Sequence, residues 1–297
     1  MEKLVVIAGT NASGKSGLGI ELALLYGGEI ISADSRQVFK GLDLGSGKVT
    51  KEEMQGIPHH MIDVAKPNDF FSLKDFQTGA YEAIDDVINR GKIPFLVGGT
   101  GLYVNSVVDG YNLNGEKPDP KIRQEIYDLS IEEIKSRLKE LNPSALERVD
   151  LNNKRRLERA LERALTGDGD ELESVKKYDT LVLGVTWDRK VLYERIRERL
   201  DMRLSQGMID EVKALREEGA TDEFLYKLGL EYRYILMYLR GEFESYEAFY
   251  DKLFMEIRHL AKEQMTWFRK RKDIVWIDMT DDPINRSKAL IDEFLAK

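Results

Sequence analysis

Eight consecutive residues, Gly9-Thr10-Asn11-Ala12-Ser13-Gly14-Lys15-Ser16, fit G-x-x-x-x-G-K-[ST], the spacing of a loop that wraps a polyphosphate. Glycines let the backbone curl around an anion, and successive amides and the following helix N-terminus point at it. Lys15 adds a point charge, and the Ser16 hydroxyl can reach a magnesium ion bound through the phosphates. Such a loop identifies a diphosphate without naming its owner. Most bind ATP or GTP, so a kinase or NTPase is the first alternative. Against it, no apolar strand of four or more residues ending in aspartate stands out as a second, magnesium-holding segment. Ile93-Pro94-Phe95-Leu96-Val97 runs instead into Gly98-Gly99-Thr100.

A second group of reactive types follows Ile30-Ile31-Ser32-Ala33, where Asp34 is trailed by Ser35, Arg36 and Gln37. Residues just past the carboxyl end of a strand in an open parallel sheet face the ligand crevice. Asp34 is therefore a candidate magnesium ligand, or a general base taking a proton from an attacking amine; a turn cap is the plainer alternative. Thr100, in Gly98-Gly99-Thr100-Gly101, has the backbone freedom around it for close approach to a ligand, or simply closes a turn. Arg195, Arg199 and Arg203 recur every four residues on one helical face. Arginine forks suit a diphosphate, although Glu194 and Glu198 are near enough to make a solvated salt-bridge face instead. Arg155, Arg159 and Arg163 form another such stripe, opposite Leu157, Leu161 and Leu165, which suits phosphate-backbone binding or an ordinary soluble helix.

These groups need a scaffold, and the chain can build one. Its 297 residues are 42% hydrophobic, enough for a large core plus a smaller insertion. Cysteine is absent, which excludes disulfides and thiolate chemistry. No apolar run reaches membrane-span length and no cleavable signal pattern precedes Lys3, so a cytoplasmic protein without a membrane partner is expected. The formal charge of -8 argues against wholesale coating of nucleic acid. Any such surface must be local, at Lys154-Arg155-Arg156 with Arg159 and Arg163, or at Arg269-Lys270-Arg271-Lys272.

Strand-like runs at Lys3 to Ala8, Glu29 to Ala33, Ile93 to Val97, Leu181 to Thr186 and Ile274 to Ile277 alternate with helical patterns at Leu18 to Leu25 and Phe76 to Asn89. This order predicts an α/β fold of the P-loop NTPase-like kind, a parallel sheet flanked by helices. Between about Tyr111 and Thr180 the pattern is helix only, punctuated by Pro118, Pro120 and Pro143. A core of residues 1–110 and 181–297 with a small all-helical insertion of 111–180 is expected. Arg189 to Glu217 and Tyr246 to Arg269 read as long core helices.

Three ordered segments closely resemble the tRNA dimethylallyltransferase (tRNA isopentenyltransferase) family. They are Ile31 to Phe39 continuing through Gly41 to Lys48, His59-His60-Met61-Ile62-Asp63, and Gly91 to Tyr103. Later segments agree: Arg155 to Glu162, Tyr193 through Arg199 to Gly207-Met208, and Ala261 to Lys270. The likeness runs from Leu4 to about Asp278 and is weakest between Tyr111 and Val149.

The resemblance implies a transferase whose loop, Gly9 to Ser16, holds dimethylallyl diphosphate, and whose acceptor is the exocyclic amine of the adenosine 3′ of the tRNA anticodon. It implies that Asp34 accepts or orients the amine proton. Lys15, the loop amides and Mg2+ would stabilise the leaving diphosphate, with Arg199 a diphosphate contact and Thr100 beside both substrates. Asp34, Ser35, Arg36, Gln37 and Thr100 match the acceptor-contact positions, and Arg155, Arg156 and Arg159 match contacts to the anticodon stem-loop. Gln37 carries a donor-acceptor pair suited to an adenine edge, and Trp267 and Phe268 could stack on a base or serve the core.

The chain departs from the family pattern at Thr10-Asn11, at Glu231 and at Glu263, the last two expected to remove positive charge near the RNA face; the insertion also looks short. An adenylate isopentenyltransferase of the cytokinin-forming type is the nearest rival, ahead of a P-loop kinase or a nonenzymatic RNA binder. A monomer is expected.

Overall fold

A computed structural model of the chain describes residues 1–113, 120–166 and 174–297. The proposed punctuation at Pro118 lies outside the described residues. The chain divides into two compact units, one of Met1–Asp109 with Lys176–Lys297 and one of Gly110–Val175. In chain order, β1 (Lys3–Gly9), α1 (Lys15–Tyr26), β2 (Glu29–Ser32), β3 (His59–His60), α2 (Leu73–Asn89), β4 (Pro94–Gly98) and α3 (Gly101–Val108) open the first unit. The second unit holds α4 (Pro120–Tyr127), α5 (Ile131–Leu141), α6 (Pro143–Arg148) and α7 (Lys154–Thr166). The first resumes with β5 (Asp179–Thr186), α8 (Arg189–Ser205), α9 (Met208–Glu217), α10 (Asp222–Leu228) and α11 (Leu230–Leu239). It ends with α12 (Tyr246–Phe268), β6 (Ile274–Asp278) and α13 (Pro283–Leu295).

The sheet is parallel, in the order β3-β2-β4-β1-β5-β6. Its central strand reads as an unbroken apolar run because both faces are covered. Leu4, Val6 and Ala8 join one core cluster with α2, α3 and α12, while Val5 and Ile7 join the other with α1 and α13. Register sets the site. Ala8 pairs with Gly98, and Ser32 with Val97, so β1, β2 and β4 end level and their following loops leave the same edge of the sheet. The second unit has its own core of Ile126, Ile134, Leu138, Ala145, Leu157 and Leu161. Leu165, expected on that buried face, is 43% exposed.

Several boundaries move for identifiable reasons. Helix α1 starts at Lys15 rather than Leu18, because Gly14 takes a left-handed φ of 85° at its N-cap. Helix α2 starts at Leu73 rather than Phe76, because Ser72 and Asp75 form a capping box. The helix expected from Arg189 to Glu217 is two helices, broken where Gly207 adopts φ 96°. Strand β6 runs one residue further than its apolar part and ends in Asp278, so an apolar strand ending in aspartate does exist. That carboxylate is committed to the Thr280 amide and hydroxyl at the sheet edge. Strand β3, two residues long, is too short to show a period. No helix among the described residues is long and apolar enough to cross a membrane.

At the opposite end of β2, the fully buried Glu29 carboxylate receives Arg90 Nη2 at 2.7 Å and His60 Nε2 at 2.8 Å on Oε2, and Lys92 Nζ at 2.7 Å together with Arg90 Nη1 on Oε1. These partners tie β2 to β3 and to the turn entering β4. Arg90 above all holds the Glu29 carboxyl well below the usual carboxylate range. A carboxylate whose folded pKa is depressed stabilises the fold at neutral pH, and the contribution is lost as pH falls below the ordinary carboxylate range. Glu29→Gln should therefore cost about 2–3 kcal/mol at pH 7, and the gap from wild type should shrink at pH 3. Urea midpoints at the two pH values check both.

Candidate active site

Strand β1 delivers Gly9 into a loop whose Ala12 and Gly14 have φ 57° and 85°. The carbonyls of this loop are held from behind. Trp187 Nε1 donates to Ser13 O at 2.8 Å, Arg195 Nε donates to Ala12 O at 3.0 Å, and Lys15 Nζ donates to Thr10 O at 3.2 Å. Arg195 also lies over the Trp187 ring, 4.5 Å from its centroid. Gly9 passes so close to Ser13 that an added Cβ would stand 2.8 Å from its Oγ.

The segment after β2 folds back on its own acid. Asp34 Oδ1 accepts from the Arg36 amide at 2.9 Å and the Gln37 amide at 3.4 Å, so the turn-capping alternative is realised on one oxygen. Capping also fixes the direction of the carboxylate, which lines the central cleft. Thr100 joins this segment to the β4–α3 turn, its Oγ1 accepting from the Ser35 amide at 3.0 Å. Gln37 is nearly buried, with Oε1 accepting from Ser32 Oγ and Nε2 donating to Gly47 O, both at 3.3 Å. Part of the donor-acceptor pair suggested for an adenine edge is thus engaged inside the protein.

The first arginine stripe does not form a solvated face with Glu194 and Glu198. Its members turn toward the loops: Arg195 to Ala12 O, Arg199 Nη2 to Gly47 O at 3.1 Å, and Arg203 to Glu231 at 3.6 Å. Gly47, at φ 61°, lies against both forks, and a Cβ there would collide with the Arg203 and Arg199 guanidinium groups. Glu231 was expected near an RNA-binding face. It is instead buried within the cleft, between Arg203 and Arg36, whose Nη1 reaches it at 3.1 Å. Glu263 is exposed on α12. Of the Arg269 to Lys272 run, Arg271 is taken up internally by Asn105, Asp109 and Asp273.

These side chains converge on one cleft that is open to solvent. Lys15, Arg36, Arg199 and Arg203 line it with Asp34, Glu231 and the Ser16 side chain, while Ile196, Leu200 and Ile257 supply an apolar wall. A smaller cavity behind Lys15 adds Ile30, Val49, Val97 and His59. Burial pushes the Lys15 ammonium down to about 8, with Asp34 opposing and Arg199 and Arg203 acting in the same sense. Burial, then Arg203, likewise lowers Arg199, to about 10. Concentrated, desolvated positive charge beside one acid and an apolar wall suits an anionic leaving group joined to a hydrocarbon. Among the described residues no group of three or more acids or histidines could hold a metal ion alone. The Ser16 hydroxyl and the Asp34 carboxylate are hard oxygen donors on the same cleft, and they fit magnesium shared with phosphate oxygens.

Helix α7 carries the second stripe. Arg155 and Arg156 are exposed, and Arg159 Nη1 pairs with Glu162 at 2.5 Å. Three contributors escaped the sequence reading. Glu211 accepts the amides of Asp43, Leu44 and Gly45 at 3.1, 2.6 and 3.0 Å, which shapes the loop leading to Gly47. Glu231 pairs two cleft arginines, and Gln264 bridges Asn11 and Gly99. The loop partners of Glu211, and both partners of Gln264, lie more than 160 residues away, so no local pattern announces them.

The model of the IPP transferase family matches residues 37–271, and that of isopentenyl transferase residues 2–67. The chain belongs to the IPP transferase family. It is 40% identical to a tRNA dimethylallyltransferase of Anoxybacillus flavithermus, over 95% of this chain and 92% of that one. Identity to tRNA dimethylallyltransferase 2 of Citrifermentans bemidjiense is 42%, over 97% and 94%. Among solved structures, a tRNA isopentenylpyrophosphate transferase from Bacillus halodurans has TM-score 0.75 and 38% identity, covering 100% of this chain and 96% of that one. A eukaryotic dimethylallyltransferase captured acting on tRNA has TM-score 0.85 and 28% identity, covering 100% and 80%. An IPP transferase cleft built this way carries its own pH signature. Lys15 is protonated below about pH 8 and loses its charge above it. Affinity for inorganic diphosphate should therefore weaken by up to about tenfold per pH unit above that point. Calorimetric titrations from pH 7 to 9.5 check this against Lys15→Arg, whose charge does not titrate and which subtracts the ionisation of the ligand itself.

Proposed function

We propose that this chain transfers the dimethylallyl group of dimethylallyl diphosphate to the exocyclic N6 of the adenosine 3′ of the tRNA anticodon. The observation that carries the reading is one cleft shared by Asp34, the phosphate loop with Lys15, and the Arg199 and Arg203 forks. Relatives that match over nine-tenths of both chains are named as tRNA dimethylallyltransferases, which favours tRNA over free adenylate and over phosphoryl transfer.

The adenine amine attacks the allylic carbon as its bond to the diphosphate oxygen breaks, and that electron pair leaves with the diphosphate. Lys15, the loop amides and Arg199 meet the charge growing on the leaving group. The amine proton passes to the Asp34 carboxylate, which its bond from the Arg36 amide keeps oriented. Magnesium, held by Ser16 and the phosphates, would supply further charge neutralisation. Thr100 fixes the Ser35 amide beside this acid. Arg155, Arg156 and Arg159 are proposed to hold backbone phosphates of the anticodon stem-loop, a role suited to exposed cations that position RNA without reading its sequence. A monomer working in the cytoplasm accompanies this reading.

Two outcomes test it. Asp34→Asn preserves an acceptor for the Arg36 amide and removes the base, so transfer of labelled dimethylallyl to tRNA should slow about 10²–10⁴-fold with an unchanged melting temperature. Label entering AMP but not tRNA would assign the adenylate acceptor. Arg159→Ala should weaken tRNA binding and flatten the slope of log K against log salt by about one. Filter binding from 50 to 200 mM salt measures the slope, and an unaltered slope removes Arg159 from the RNA contact.

A further inference from the structure

Near the end of α12, one amide side chain touches both substrate loops. Gln264 Oε1 accepts the Asn11 amide of the phosphate loop at 2.8 Å. Its Nε2 donates to Gly99 O in the β4–α3 turn at 3.0 Å and to Asn11 Oδ1 at 3.3 Å. The orientation of the amide is fixed by its partners, since a backbone N–H needs the oxygen and a backbone carbonyl needs the nitrogen. The junction is tight: a Cβ on Gly99 would stand 2.9 Å from Gln264 Nε2, 3.0 Å from Gly9 O and 3.4 Å from Lys15 Cε.

The helix bearing Gln264 is itself immobilised. Ala261 and Phe268 are buried in the core, and Trp267 packs so closely on Gly101 that no side chain fits there. The bridge therefore has a rigid origin. On one side lies the loop assigned to the diphosphate. On the other lies the turn whose Thr100 anchors Ser35 beside Asp34.

We propose that Gln264 is a positioning residue that holds the diphosphate loop and the acceptor turn in register, so that the allylic carbon and the attacking amine meet at reacting distance. The inference rests on the transfer reading above. Gln264 takes the Asn11 amide for itself, so that amide is not among those aimed at phosphate, and the loss of Gln264 removes alignment rather than a substrate contact. Misplacement on the order of 1 Å can cost about 10²-fold in rate without weakening either substrate's binding.

The test is steady-state prenyl transfer to tRNA by the full chain with Gln264→Met, which keeps the volume and removes every hydrogen bond. A fall in kcat of about tenfold or more, with donor KM and tRNA Kd within about threefold of wild type, is expected. Gln264→Glu retains an acceptor for Asn11 and loses the donor toward Gly99, and it should show the same split; it decides the matter if the Met variant does not fold. Wild-type kcat in Gln264→Glu overturns the proposal. So does a defect confined to donor KM, or a lower melting temperature with kcat unchanged. Wild-type protein that transfers nothing to tRNA removes the reading on which the inference rests, whereas active wild type with fully active variants removes the inference alone.

Discussion

The close approach of Gly98 to Ala33 is the constraint on which the site depends. The Ala33 amide donates to Val97 O at 2.8 Å, and the Thr100 amide donates back to Ala33 O at 3.2 Å, so the ends of β2 and β4 are clasped together. A side chain at Gly98 would run into the Ala33 backbone, which makes glycine obligatory there on steric grounds. Because Ala8 of β1 pairs with the same Gly98, three loops that share no sequence neighbourhood start from one line. Thr100, Asp34 and the phosphate loop are brought together by strand register, and the side-chain bonds among them refine a placement that the sheet has already made.

Electrostatics then works against that placement. Lys15, Arg36, Arg199 and Arg203 line one cleft with two carboxylates, Asp34 and Glu231. Burial opposes charge on Lys15 and Arg199, and the neighbouring cations oppose it further. Such an arrangement is costly in the free protein and becomes favourable when an anion arrives, which is the condition for stabilising a departing diphosphate. Glu231 moderates the cost by pairing two of the arginines at once. An acid in a cationic pocket is therefore consistent with anion binding, because it fixes the direction of the forks it pairs with.

Legibility in the sequence followed locality. The phosphate loop, the acid after β2 and the glycine turn after β4 are contiguous motifs whose chemistry shows in their residue types. The strands that carry them are short apolar runs with clear ends. Asp34 illustrates the limit even there, since the same residue type in that place suits both the turn cap seen on Oδ1 and the general base proposed above. What the sequence did not disclose were side chains that act on distant backbone. Glu211 shapes the loop at Asp43 to Gly45, Gln264 spans Asn11 and Gly99, and Glu231 joins Arg36 to Arg203. Each sits on a helix where its spacing looks like that of any solvent-facing polar residue. Helical periodicity reports which face is buried and says nothing about what a polar residue at the edge of that face will meet. The break at Gly207 is hidden for a related reason, because the apolar period resumes across it.

Formal charge was an equally indirect guide to nucleic-acid binding. A net -8 averages over residues with unrelated duties. Arg36 and Arg203 are bound to Glu231, Arg90 to Glu29, and Arg271 to Asp109 and Asp273, so none of these charges is offered to a polyanion outside the cleft. On α7, by contrast, Arg155 and Arg156 are exposed and have no ion pair among the described residues, and Arg159 shares its carboxylate, Glu162, with Arg123. An acidic protein can therefore still present a local basic surface, because net charge does not report which cations are already paired. Exposed cations of that kind suit phosphate contacts, which position RNA without reading its sequence.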